Sequence, residues 1–281
     1  MLAGLGAIGL WGALATLSVA AGPIPPFQMV AMTFAIGAIV GVVRAGRRGL
    51  GPADLFAWPA RVWILGVGGL FGYHALYFAA LQIAPPAEAN LVNYLWPLLI
   101  VLLSAPLAKE RLAWPHLAGA VLGFAGVALL AIGRGVTFSG GSALGYLLAL
   151  GCAFTWSLYS VLSRRFGETP TDAIASFCAA ASLLSLICHW LFEATVWPAS
   201  SVAWLAVVAL GLGPTGGAFY LWDHAVKRGD IRALGALSYA APILSTFLLI
   251  ACGLAEPTRA LILATLLVTA GAILAARARS P

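Results

Sequence analysis

The chain has 281 residues, of which 62% are hydrophobic and only 9% charged, against roughly a quarter charged in soluble domains. That composition excludes a water-soluble globular fold. The formal net charge of +6 does not mark a nucleic-acid surface either, because the Lys and Arg residues sit in scattered pairs at the ends of apolar runs, as snorkelling anchors do.

In chain order, ten runs long enough to cross a bilayer, about 20 residues each, lie at 2–21, 26–43, 62–83, 86–105, 115–132, 142–163, 171–192, 202–225, 231–253 and 258–276. The loops between them are short and leave no room for a soluble domain. The first run lacks a basic leader and an A-x-A site, so it reads as a span and not as a cleavable signal. Basic residues in short loops set orientation, with acidic ones contributing little. Arg44, Arg47, Arg48, Arg61, Lys109, Arg111, Arg164, Arg165, Lys227, Arg228, Arg232, Arg277 and Arg279 fall on one side, and only Arg134 and Arg259 on the other. The expectation is a multi-pass membrane protein with both termini in the cytoplasm. Cys152, Cys178, Cys188 and Cys252 all fall within the runs, contain no C-x-x-C pair, and read as buried free thiols with no disulfide or metal implied.

An offset of 145 residues places Gly72 on Gly217, Leu76 on Leu221, Ala80 on Ala225, Tyr94 on Tyr239, Pro97 on Pro242 and Gly126 on Gly271, which divides the chain into halves 1–133 and 142–276. Each half holds five spans. Because five is odd, the second half enters the membrane upside down, an architecture of transporters whose site lies near the midplane between the halves. Gly37 and Gly41, Gly68 and Gly72, Gly119 and Gly123, and Gly213 and Gly217 are spaced for close helix contact. The strings GLGAIG (4–9) and GLGPTG (211–216) match a dinucleotide fingerprint, but neither follows a strand in a βαβ unit, so that reading is set aside.

Ten spans in two inverted halves, with LAKERLAWPHLAGAVLGFAGVALL (107–130), where Glu110 follows the fourth span, resemble the EamA repeat of the drug/metabolite transporter (DMT) superfamily. The second copy is GLAEPTRALILATLLVTAGAIL (253–274), with Glu256 one position out of register. Within it, NYLWPLL (93–99) and GYHALYFAAL (72–81) look like YddG-type aromatic amino acid exporters. The resemblance implies an all-α integral membrane protein of the cell inner membrane, its ten transmembrane helices forming two inverted five-helix repeats. It also implies export of phenylalanine, tyrosine and tryptophan, with some latitude for other flat aromatic compounds, by alternating access through a central cavity between the repeats. A broad-specificity drug or metabolite exporter of the same superfamily is the rival reading.

The residues themselves suit such a cargo. On a continuous helix Asn90, Asn93, Tyr94 and Pro97 share one face, with Trp96 flanking it. Tyr73 and Tyr77 are four apart on the preceding span, with His74 beside them, and the short turn QIAPPAE (82–88) lets both faces meet in one cleft. An aromatic ring gains about 0.5 to 1.5 kcal/mol per ring partner beyond burial, an ammonium can sit over a Tyr or Trp face, and Asn amides with backbone freed by prolines can bind the carboxylate. Trp156, Tyr159, Trp222 and Tyr239 complete the candidate set. For all of these, ordinary helix packing is the competing explanation. Pro97 and Pro242 are the expected kinks or hinges. His74 reads equally as a proton relay or as a neutral histidine bonded to a neighbour. Glu88, Glu193 and Asp223 lie near span ends and are expected to face water. Trp58, Trp63, Trp114, Trp190, Trp197 and Trp204 read as interfacial belt residues. His74, His116, His189 and His224 are scattered and no two acids share a span, so no catalytic or metal-binding set emerges. The sequence therefore points to a non-enzymatic transporter without cofactor. Its partners would be a small-molecule substrate and the lipid bilayer, without nucleic acid, and a monomer suffices.

Overall fold

The computed structural model describes residues 1–109, 111–133, 135, 136, 138 and 140–277; Glu110, Arg134 and Arg279, singled out above, lie outside them. Among the described residues ten helices are long and apolar enough to cross a membrane. They are α1 (Leu2–Ala21), α2 (Pro26–Gly46), α3 (Ala60–Ile83), α4 (Pro86–Ala108), α5 (Trp114–Ile132), α6 (Ala143–Arg165), α7 (Ala173–Phe192), α8 (Ser201–Arg228), α9 (Ile231–Ala251) and α10 (Arg259–Arg277). Their ends fall within about three residues of the sequence-expected runs, the ordinary uncertainty of a helix boundary.

Local chemistry explains where several of them start. A proline occupies the first turn of α2, α4 and α5, where its missing N–H has no helical partner to lose. Ser200 caps α8 by accepting the Ala203 N–H, and Asp230 caps α9 by accepting those of Arg232 and Ala233. Half-burial opposes the charge of Asp230, but the Arg232 side chain and these two N–H groups hold its carboxyl below the usual carboxylate range.

The packing repeats when the halves are exchanged. Helix α2 lies along α7, α5 along α10 and α4 against α9. The contacts of α1 with α8 and α9 are matched by those of α6 with α3 and α4, and α2–α8 by α7–α3. A pseudo-twofold relation between two five-helix halves accounts for all of these pairs.

The interruptions obey the same relation. Helix α4 breaks at Tyr94–Leu95 and α9 at Ser238–Tyr239. A π-helical turn at Gly68–Gly72 disturbs α3, and a non-helical stretch around Gly213–Gly216 splits α8. The 145-residue offset carries Tyr94 onto Tyr239, inside the break of α9, and 68–72 onto 213–217. Helix α1 also bends at Ala13, without a matching break in α6.

One expectation needs correction. Cys152 and Cys178 are buried, but Cys188 is half-buried and Cys252 exposed, because α9 ends at Ala251 and leaves Cys252 beyond the packed helix. Trp114, Trp190, Trp197 and Trp204 are exposed, whereas Trp58 donates to Ser176 Oγ (3.1 Å) and Trp63 packs edge-on against Phe177. Both, partly exposed, are thus also held by α7.

Close contact between the halves depends on glycine. A Cβ at Gly119 would lie 2.5 Å from the Gly271 carbonyl oxygen, and one at Gly271 would lie 2.5 Å from that of Gly119. Neither backbone can yield without separating α5 from α10. Gly119→Val and Gly271→Val should therefore each destabilise the protein by about 1 to 3 kcal/mol, the usual cost of overpacking. Gly9→Ala, where a Cβ meets nothing within 4 Å, should have no such effect. Thermal unfolding of the purified variants in detergent measures the difference.

Candidate functional site

The α3–α4 hairpin brings its polar residues together in pairs. The Tyr77 hydroxyl donates to Asn90 Oδ1 (3.3 Å), and Asn93 Nδ2 donates to the Tyr73 hydroxyl oxygen (3.0 Å). The two tyrosine rings stand parallel, 6.2 Å apart and 7° from coplanar, as expected for residues four apart on a helix. Asn90 and Asn93 lie on the first half of α4, but Tyr94 sits in the break and Trp96 opens the second half. The face drawn from Asn90 to Pro97 is therefore interrupted. Pro97 and Pro242 sit in the first turns of the second half-helices of α4 and α9. A proline ring clashes with the carbonyl four residues back, here Asn93 and Ser238, so each chain breaks just before its proline.

Beyond this hairpin four indoles converge. Trp11, Trp96, Trp156 and Trp222 have ring centroids 5.1 to 6.4 Å apart, mostly edge to face. Trp222 is fully buried and donates its N–H to Ser160 Oγ (3.0 Å). Trp11 donates to the Pro214 carbonyl (3.1 Å) inside the break of α8. Among the described residues, the N–H groups of Trp96 and Trp156 donate to no protein acceptor. Tyr73 and Tyr159 pack on Trp156 at 5.7 and 5.2 Å, which joins the hairpin to the indoles. Trp11 was missed in the sequence. Its signal was its depth: it lies midway along an apolar run, too far from either end for a belt.

His74 points its Nδ1 at the Leu70 carbonyl oxygen (2.7 Å), so Nδ1 carries the proton and Nε2 is left as the basic nitrogen. Its ring meets Phe34 and Tyr73 edge-on. Tyr239 is not brought to the indoles. It lies in a second cluster beside Phe124, with its ring where a Cβ on Gly123 would stand at 2.4 Å. Asp223 and Glu88 are buried, not water-facing. Helix α8 runs on to Arg228, so Asp223 lies more than a turn inside it, where Thr171 donates to its Oδ2 (2.7 Å). Glu88 is held in the first turn of α4. Glu193 accepts the N–H groups of Phe27 (2.9 Å) and Gln28 (3.1 Å) at the start of α2, with His189 Nδ1 2.9 Å away. Among the described residues no group of three His, Cys, Asp or Glu is placed to hold a metal ion.

The two halves that supply the indoles also match known proteins separately. A model of the EamA-like transporter family matches residues 1–132 and again 143–277. The chain belongs to the EamA-like transporter family. It is a transporter and not an enzyme, and Trp11 and Trp96 come from its first EamA copy, Trp156 and Trp222 from its second. The transporter is 54% identical, over 98% of its chain and 96% of the relative's, to the aromatic amino acid exporter YddG of Ancylobacter novellus. It is 25% identical to the aromatic amino acid exporter YddG of Salmonella typhimurium over 88% of its chain and 86% of that protein. A solved crystal structure superposes with a TM-score of 0.93 at 52% identity, covering 98% of this chain and 95% of that one.

The Trp222–Ser160 bond offers a direct probe of how the indoles are held. Ser160→Ala would leave a buried N–H without a partner, at a cost of about 1 to 3 kcal/mol. The variant should unfold at lower temperature than the wild type. Adding Ser160→Ala to Trp222→Phe, which has no N–H to orphan, should cost much less.

Proposed function

We propose that this transporter exports phenylalanine, tyrosine and tryptophan, and related flat aromatic compounds, by alternating access through a site between halves 1–133 and 142–276. The observation that carries the reading is the meeting of four indoles from both halves beside a tyrosine–asparagine hairpin. The exporter activity named for the relative from Ancylobacter novellus supports it. The cargo ring packs edge-on among Trp11, Trp96, Trp156 and Trp222, each pair contributing about 0.5 to 1.5 kcal/mol beyond burial. The unspent N–H groups of Trp96 and Trp156 donate to the carboxylate. Asn93 Oδ1, buried without a partner, accepts from the ammonium, which also faces Tyr73 and Tyr77. Asn90 and Tyr94 line the approach, Tyr159 and Trp222 the far wall, and His74 Nε2 is the one basic nitrogen beside the rings. Tyr239 packs α9 against α5 and takes no part in binding. Pro97 and Pro242 set the breaks about which the half-helices turn.

The protein acts as a monomer in the inner membrane with both termini in the cytoplasm, a placement supported by thirteen basic residues on one side against two. A single cysteine at the exposed position of Arg228 should react with impermeant reagents only from the cytoplasmic face; labelling from outside would overturn the orientation.

Reconstituted vesicles test the cargo. Labelled phenylalanine, tyrosine and tryptophan should be carried, and leucine should compete poorly. Trp96→Ala and Trp156→Ala should each lose about tenfold or more in transport efficiency, since 1.4 kcal/mol is a factor of ten. Trp114→Ala, at a residue 75% exposed, should remain near wild type. Equal competition by non-aromatic compounds would favour a broad-specificity exporter. Normal tryptophan transport by the Trp96 and Trp156 variants would remove the indoles from the site.

A further inference from the structure

The indoles can read a ring, but none of them carries charge. The charged groups lie one step further along α8. Asp223 follows Trp222 directly, and Lys227 one turn later places its Nζ 2.9 Å from Asp223 Oδ2. Their side chains are only 2% and 9% exposed. The Thr171 hydroxyl donates to the same Oδ2, and Lys227 also donates to the Thr169 carbonyl (2.8 Å). Among the described residues no hydrogen bond reaches Asp223 Oδ1.

A second polar group turns to the same place. The Tyr159 hydroxyl is buried without a well-aligned hydrogen-bond partner, with Ser163 and Asp223 the polar groups near it. Tyr159, Ser163, Asp223 and Lys227 line one crevice together with Phe166 and Phe177. Arg164, next to Ser163 in the chain, donates to the carbonyls of Val226 (3.0 Å) and Gly229 (2.6 Å). In this conformation the crevice is too small to hold an amino acid.

A buried ion pair is a poor device for stability, because well-packed apolar residues of similar volume hold a fold as well or better. A buried hydroxyl with no well-aligned partner is a further cost. Both become intelligible if a ligand completes them. We propose that the crevice is a second subsite, on the cytoplasmic side of the indoles, which selects the amino-acid zwitterion as it enters. This rests on the exporter reading above. When the crevice opens, Asp223 Oδ1 and the Tyr159 hydroxyl oxygen accept from the cargo's ammonium. Lys227 pairs with its carboxylate, and the ring lies against Phe166 and Phe177. A net-neutral pair of opposite charges favours a net-neutral zwitterion, since an amine or an acid alone leaves one protein charge buried and unopposed. The crevice thus selects the head of the cargo and the indoles its ring.

The test uses full-length protein in inside-out vesicles and three probes that share the indole ring: labelled tryptophan, with tryptamine and indole-3-propionate as competitors. Wild type should prefer tryptophan to both. Lys227→Met should raise the half-saturating tryptophan concentration by about tenfold or more, the scale of a charge-assisted hydrogen bond, while tryptamine competes as before. Asp223→Asn should do the same with respect to indole-3-propionate. Tyr159→Phe, which removes only a hydroxyl that makes no well-aligned hydrogen bond, should fold normally and weaken tryptophan and tryptamine but not indole-3-propionate. That variant decides the matter if the charge variants misfold. Equal changes for all three compounds would make the cluster a mere lock between helices and overturn the subsite, as would unchanged selectivity. A wild type that carries no aromatic amino acid would instead overturn the exporter reading itself.

Discussion

A main-chain N–H or C=O facing hydrocarbon without a partner costs several kcal/mol, so a transmembrane helix can break only where protein or an enclosed cavity replaces the lost bond. That constraint ties the interruptions of this bundle to its centre. The Trp11 indole takes the Pro214 carbonyl in the break of α8, and His74 takes the Leu70 carbonyl in the π-helical turn of α3. In each case the repairing group comes from the candidate site or from the helix beside it. The breaks and the site are one solution to one problem.

Bulky rings, at that centre and elsewhere in the bundle, need equally specific space. Tyr159 lies where a Cβ on Gly69 would stand at 2.4 Å, Phe177 does the same at Gly66, and Tyr239 at Gly123. The Tyr220 hydroxyl crosses to the Gly37 carbonyl (2.9 Å) over Gly41. Large residues on one helix thus occupy the room left by the smallest residues on its neighbour. Without a hydrophobic force between helices in lipid, such interlocking carries much of the association.

The bilayer itself made most of the architecture legible, because it demands runs of fixed length and the odd number of spans per half then dictates inversion. The hairpin was legible because Tyr73 and Tyr77, like Asn90 and Asn93, obey helical spacing. What escaped has physical reasons. The proline at position 97 acts on the carbonyl of Asn93, so the helix face ended before the residue that marked it. The indole of Trp11 stands in a run with no polar neighbour to draw attention to it. Of the glycine pairs, Gly119 and Gly123 do meet another helix closely, but Gly68 meets nothing within 4 Å, since spacing alone cannot tell which face is covered. The burial of Asp223 depends on Thr171, 52 positions away in the chain, and no local pattern records that.

The pseudo-twofold relation carries Arg48 onto Glu193 and Phe27 onto Asp172, and both members of this exchanged pair are in contact. At one end of α2 the Asp172 carboxylate meets Arg48 (3.1 Å) and Arg44 (3.4 Å). At the other, Glu193 meets main-chain amides. These two solutions differ in how they tolerate genetic drift. The first can lose one arginine and keep the other, so its redundancy lies in the side chains. The second has donors that almost no substitution can delete, since only proline lacks the N–H, and a single carboxylate that nothing duplicates. Duplicated halves with the same geometry have thus come to store their robustness in different parts of the polymer, one in spare side chains and one in the backbone itself.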